Sequence, residues 1–136
     1  MEAKIIWQQD MQFKAISGSG HSTTIDGSAE FGGKDTGMRP MEMLLLSMAG
    51  CSAMDVIFIL KKYRQDVTNC IININGERAE SIPKVFTSIH VHYEITGNNL
   101  NEQKVMNAVS LSADKYCSVA EMMRQSCKVT HSYSVK

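Results

Sequence analysis

The chain has 136 residues, enough for one domain whose core needs no disulfide staples. Its 14 basic and 14 acidic residues give a formal net charge of zero and a pI near 6.9, which argues against nucleic acid and anionic membrane surfaces as partners. The first residues lack the basic-then-apolar pattern of a secretion signal, so a cytoplasmic protein with reduced or redox-active thiols is expected.

Residues 3–8, 11–17 and 21–26 are short runs rich in Ile, Thr and Phe, broken by Gly18-Ser19-Gly20 and Asp26-Gly27, and read as strands. Glycines at 27, 32, 33 and 37 make residues 27–39 a flexible surface loop. Pro40 then suits the first turn of a helix, where its missing N–H removes no bond. The helix extends to about Tyr63, well beyond the usual length of about 11–12 residues. Its stretch 41–60 is apolar enough to raise the question of a membrane span. Glu42, Ser47, Ser52 and Asp55 answer it, since an Asp near a bilayer centre costs about 2.5–3.5 kcal/mol. A central helix of a soluble protein, buried on most sides, is expected instead.

Two strands follow. Cys70, Ile72 and Ile74 share a face of the first, and in the second Val85, Thr87, Ile89, Val91, Tyr93 and Ile95 alternate with Phe86, Ser88, His90, His92 and Glu94. Asn99-Leu100-Asn101-Glu102 has capping-box spacing, so a second helix is predicted to begin near Asn99. Its apolar stripe comprises Val105, Met106, Val109, Ala113, Tyr116 and Cys117. Ser118-Val119-Ala120-Glu121 repeats the pattern and predicts a short third helix directly after Cys117. Alternation from Cys127 to Val135 predicts a closing strand. With no repeat and no linker, residues 1–136 read as a single α+β domain.

The four cysteines, at 51, 70, 117 and 127, form no CxxC pair. Free cysteine is commonly core packing, and Cys70 reads that way; Cys127 is structural or free. Cys51 differs because Ala49, Gly50 and Ser52 leave space beside its sulfur. Cys117 lies just outside a helix start, where the positive end of the dipole lowers a thiol's pKa. Two accessible thiols that meet in space can pass through a sulfenic acid to a disulfide, and spacing alone leaves packing and chemistry both open. His90 and His92 share a strand face and with a cysteine could chelate a metal, yet no CxxC or HxxxH element accompanies them. A polar strand face and no metal is the preferred reading. Seven of the ten methionines, at 38, 41, 43, 48, 54, 122 and 123, cluster near the two cysteine segments, as flexible core filler or as an adaptable apolar pocket.

The helix segment Arg39-Pro40-Met41-Glu42-Met43-Leu44-Leu45-Leu46-Ser47-Met48-Ala49-Gly50-Cys51-Ser52-Ala53-Met54-Asp55-Val56 resembles the OsmC/Ohr family of hydroperoxide-resistance proteins. Lys115-Tyr116-Cys117-Ser118-Val119 extends the resemblance. Gly76-Glu77-Arg78-Ala79 and the run from Pro83 to Tyr93 place it in a YhfA-like branch. The resemblance implies an OsmC-like fold: antiparallel β-sheets wrapped around a long central helix in an intertwined homodimer. It also implies a thiol peroxidase acting on organic, lipid-like hydroperoxides, with Cys51 as the peroxidatic cysteine and Cys117 as the resolving one. No cofactor is implied; the partners are the hydroperoxide, a second copy of the chain and an external dithiol reductant.

In the peroxidase branches of that family a Glu directly follows the helix-start Pro and pairs with an Arg from an N-terminal loop. Here Met41 follows Pro40, the acid is Glu42, and no Arg precedes Arg39. One position turns a helical side chain by about 100°. Arg39 and Glu42 are therefore carried as the orienting and activating pair. That departure motivates the alternative of a non-catalytic OsmC-like protein that binds a small apolar ligand or senses redox state.

Overall fold

Short runs containing Ile, Thr and Phe near the N-terminus build a three-stranded antiparallel sheet from β1 (Ala3–Gln9), β2 (Gln12–Ser17) and β3 (Ser22–Ile25), in that order. In the computed structural model, which describes residues 1–136, this sheet belongs to a first compact unit, Met1–Leu44; the second is Leu45–Lys136. The segment after β3, expected to be a flexible loop, is gathered around one carboxylate. Asp26 is buried and accepts hydrogen bonds from the N–H groups of Gly27 (2.8 Å), Lys34 (3.2 Å) and Thr36 (3.1 Å) and from the Thr36 hydroxyl (2.7 Å). These bonds, led by that from the Thr36 hydroxyl, outweigh the burial that opposes ionisation and lower the Asp26 pKa to about 2.

The long helix α1 (Pro40–Lys62) starts at Pro40 as its sequence requires. Glu42, in the first turn, reaches back to accept from the Arg39 N–H at 2.9 Å, the acid half of a capping box. Lys61 and Lys62 close the last turn, where cations complement the dipole. Burial on most sides does not hold within one chain. Only Met48, Ala49, Ser52, Val56, Ile59 and Leu60 are buried, at helical spacing along one face, while Leu46, Met54 and Phe58 stand exposed. The reason is architectural: one sheet can cover one stripe of a helix, not its whole circumference.

In the second unit β4 (Asp66–Arg78) pairs antiparallel with β5 (Phe86–Asn98). After β5 come α2 (Glu102–Leu111), a π-helical stretch at Ser112–Tyr116, α3 (Ser118–Arg124) and β6 (Lys128–Val135). The α+β class stands, but β6 joins β5 in parallel, a departure from the all-antiparallel expectation. Helices α2 and α3 form the crossover that a parallel neighbour requires. The core centres on Ile89, Val91, Tyr93 and Ile95 of β5 with Val56 and Leu60 of α1 and Val105, Ala108 and Val109 of α2. Each fully buried Val, Ile or Leu contributes roughly 1.5–3 kcal/mol.

Two local readings are corrected. Phe86, assigned to the polar face of β5, is buried, whereas Val85 is exposed. A register shift lets Arg78 pair with Phe86 while Glu77 pairs with Ser88, so Thr87 bulges and the alternation changes phase. Gly76 accommodates the Phe86 ring: a Cβ there would lie 2.6 Å from its Cε1. The cap of α2 is Asn101 rather than Asn99; its side chain accepts from the Lys104 N–H at 3.0 Å. Asn99 instead takes a left-handed turn, with φ of 51°.

Candidate functional site

Cys51 stands midway along α1, partly exposed, and Cys117 sits in the single extended residue between the π-helical stretch and α3. The fold brings the two thiols together: both are free, and Cys51 is near enough to Cys117 to perturb its ionisation through hydrogen bonding and charge. Cys117 is itself the N-cap of α3. Its sulfur accepts from the Ala120 N–H at 3.4 Å, and its S–H points to the Met48 carbonyl at 3.8 Å. Its backbone N–H donates to the Ser112 carbonyl at 3.0 Å.

The expectation that the helix start lowers the Cys117 pKa is overturned. Burial pushes the thiol up to about 11, and the neighbouring Cys51 adds to the rise. Bonds from the Ala120 and Val119 N–H groups oppose the shift without reversing it. A seven-residue helix presents only a short dipole to a sulfur that water does not reach.

Beside this pair lies a polar cluster that sequence reasoning missed. Ser52, Tyr93 and Ser112 are fully buried. The Ser52 hydroxyl bonds the Tyr93 hydroxyl and lies 2.9 Å from that of Ser112. Ser112 also donates to the Ser52 carbonyl at 3.1 Å. A signal was available, since Ser52 interrupts an apolar helix face directly after Cys51, but it reads in sequence only as space beside the sulfur. One turn beyond Cys51, Asp55 keeps its Oδ2 buried with no hydrogen-bond partner.

Arg39 and Glu42 belong to the first unit and pair with each other, Nη1 to Oε1 at 3.0 Å, while Nη2 of Arg39 reaches Asp35 at 2.7 Å. Hydrogen bonds from Arg39 hold Glu42 below the usual carboxylate range, and the two carboxylates raise Arg39. Among the other cysteines, burial pushes both Cys70 and Cys127 up, and Cys127 donates to the Met123 carbonyl at 3.4 Å. His90 and His92 spend their ring nitrogens on hydroxyls of β6: His90 on Thr130 (2.8 Å) and Ser132 (2.9 Å), His92 on Ser132 (2.8 Å) and Ser134 (3.3 Å). The core-filler reading of the methionines holds for Met48, whereas Met54 and Met122 are exposed.

Comparison with known proteins gives the family and the fold. The family profile described as OsmC-like protein matches residues 32–132. The chain belongs to the OsmC-like family. Protein YhfA of Escherichia coli K12 is 44% identical over 135 residues, covering 99% of this chain and 98% of its own. A crystal structure of a protein from Aquifex aeolicus VF5 is 32% identical and superimposes with a TM-score of 0.83, covering 99% of this chain and 96% of its own. The OsmC-like fold extends to a Legionella pneumophila protein described as an organic hydroperoxide resistance protein OsmC, at 16% identity and a TM-score of 0.74 over 98% of this chain and 96% of its own.

Proposed function

We propose that this OsmC-like protein is a thiol peroxidase that reduces organic, lipid-like hydroperoxides. The observation that carries the reading is the meeting of Cys51, partly exposed, with Cys117, buried beside it. The Cys51 thiolate attacks the O–O bond; S–O forms, O–O breaks, and the alkoxide leaves as the alcohol after taking a proton. The Cys117 sulfur then attacks the Cys51 sulfenic acid. S–S forms, S–O breaks, and the departing hydroxide takes the Cys117 proton as water. Two electrons have passed from the thiols to the peroxide, and an external dithiol returns them.

The description of the Legionella pneumophila protein as an organic hydroperoxide resistance protein supports organic hydroperoxides as the substrate class, and the apolar surroundings of Cys51 support a lipid-like one. Arg39 and Glu42 are proposed as the orienting pair on the strength of the family resemblance; the guanidinium is already shared between two carboxylates, so their effect is expected to be smaller than that of either cysteine. A cytoplasmic homodimer built from one domain per chain belongs to the same reading. Its support is the uncovered stripe of Leu46, Met54 and Phe58 on α1, which a second copy would bury.

The test is a coupled assay with dithiothreitol as reductant and cumene hydroperoxide or hydrogen peroxide as oxidant. Wild type is expected to consume cumene hydroperoxide faster than hydrogen peroxide, with Cys51→Ser at the uncatalysed rate. Equal, slow consumption by wild type and variant would end the peroxidase reading. A redox sensor is the second reading, favoured by the Cys117 thiol held up at about 11, which slows resolution. Single oxidation without turnover would identify it.

A further inference from the structure

The buried hydroxyls of Ser52, Tyr93 and Ser112 have three protons among them, and their proton arrangement follows from counting. Ser112 donates to the Ser52 carbonyl at 3.1 Å, so its 2.9 Å contact with the Ser52 hydroxyl must be as acceptor. Ser52 therefore donates to Ser112 and has no proton left for Tyr93, which must donate to Ser52. The chain runs Tyr93 to Ser52 to Ser112 to the Ser52 carbonyl, and every proton is used once. Reversing it leaves the Tyr93 hydroxyl proton unpaired in the core, which costs about 1–3 kcal/mol.

Each hydroxyl comes from a different element. Tyr93 is on β5, Ser52 follows Cys51 on α1, and Ser112 opens the π-helical stretch that leads to Cys117. Ser112 serves both ends. Its side chain grips the backbone of the residue after Cys51, and its carbonyl receives the Cys117 N–H at 3.0 Å, the i to i+5 bond of the π turn. A displacement of Ser112 relative to α1 therefore moves one cysteine against the other.

We propose that Ser112, with Ser52 and Tyr93, is a positioning residue that sets the approach of Cys117 to Cys51. The inference rests on the proposed function only in taking these two cysteines as the pair that closes. It adds a site of control that acts on resolution and not on attack by Cys51: the hydroxyls hydrogen-bond one another and the Ser52 carbonyl, not the Cys51 sulfur, so capture of an oxidant by Cys51 does not depend on them.

Diamide separates the two steps without requiring peroxide reactivity. Cys51 adds across its N=N bond, and Cys117 then displaces the hydrazine, so that two thiols are oxidised and one diazene is reduced. Rapid-quench mixing of the reduced full chain with diamide, followed by tryptic mass mapping, gives a capture rate that rises with diamide and a closure rate that saturates. Ser112→Ala is expected to lower the saturated closure rate on the order of 10-fold, with capture unchanged. Tyr93→Phe, which removes one oxygen, is expected to lower it about 3-fold, and it carries the test alone if Ser112→Ala does not fold. Closure at the wild-type rate in the folded variants, equal slowing of capture and closure, or a wild type that never closes would each overturn the inference. Wild type that closes with diamide and ignores cumene hydroperoxide, with closure slowed in the variants, supports the inference and removes the peroxidase reading.

Discussion

Asp26 in the first unit and Cys117 in the second are each 2% exposed, yet their acidities move in opposite directions. Asp26 collects four hydrogen bonds on its carboxylate and falls to about 2. Cys117 receives only weak backbone bonds on a diffuse sulfur and rises to about 11. Burial opposes the charged form in both. What differs is the number and strength of donors aimed at the anion, and that count decides the sign. The first unit uses its buried acid to fix a loop, whereas the second keeps its buried thiol protonated until something displaces it.

The largest effect that can sharpen this contrast is on turnover. Cys117→Ser should leave the first oxidation of Cys51 intact and slow steady-state consumption of cumene hydroperoxide on the order of a hundredfold, because an intramolecular step is replaced by a bimolecular one. Dimedone labelling of the accumulated sulfenic acid measures it, and unchanged turnover would remove Cys117 from the mechanism. Next comes residue-resolved alkylation across pH. The Cys117 pKa is raised from an ordinary value of about 8.5, so the associated stability is intact below that pH and lost as pH rises through about 11. Iodoacetamide labelling of native Cys117 should follow the same rise, and half-maximal labelling near neutrality would break the contrast.

The smallest effect concerns Asp26, whose pKa is lowered from an ordinary value of about 3.9. Its contribution is present above that pH and lost as pH falls through about 2. Asp26→Asn should therefore unfold at lower urea than wild type near pH 7, with the gap narrowing as pH falls from about 4 towards about 2. A gap independent of pH would mean that the carboxylate charge does not hold the loop.

Much of this was legible in the chain. Pro40 marked the start of α1; β1, β2 and β3 match the Ile, Thr and Phe runs between turn residues, and β6 the closing alternation, each within a residue or two. The missed features depend on partners distant in sequence or on a shift of one residue. Asp26 before Gly27 reads as a turn because Thr36, its main partner, lies ten residues on. The bulge at Thr87 inverts the assignment of Phe86, since a single extra residue moves a side chain to the opposite face. The parallel direction of β6 was there to be read: two helices between adjacent strands are long enough for a crossover. At the site, both cysteines were identifiable from their surroundings and the family resemblance. The acidity of Cys117 was not, because the dipole argument ignores how completely the fold encloses that sulfur.

The most direct measurement treats the reduced protein with one equivalent of cumene hydroperoxide and maps its disulfides by mass spectrometry without reductant. A single intrachain bond between Cys51 and Cys117, formed with Cys70 and Cys127 still free, is the predicted result. Four free thiols after exposure, or a bond involving Cys70 or Cys127 in its place, would contradict the account.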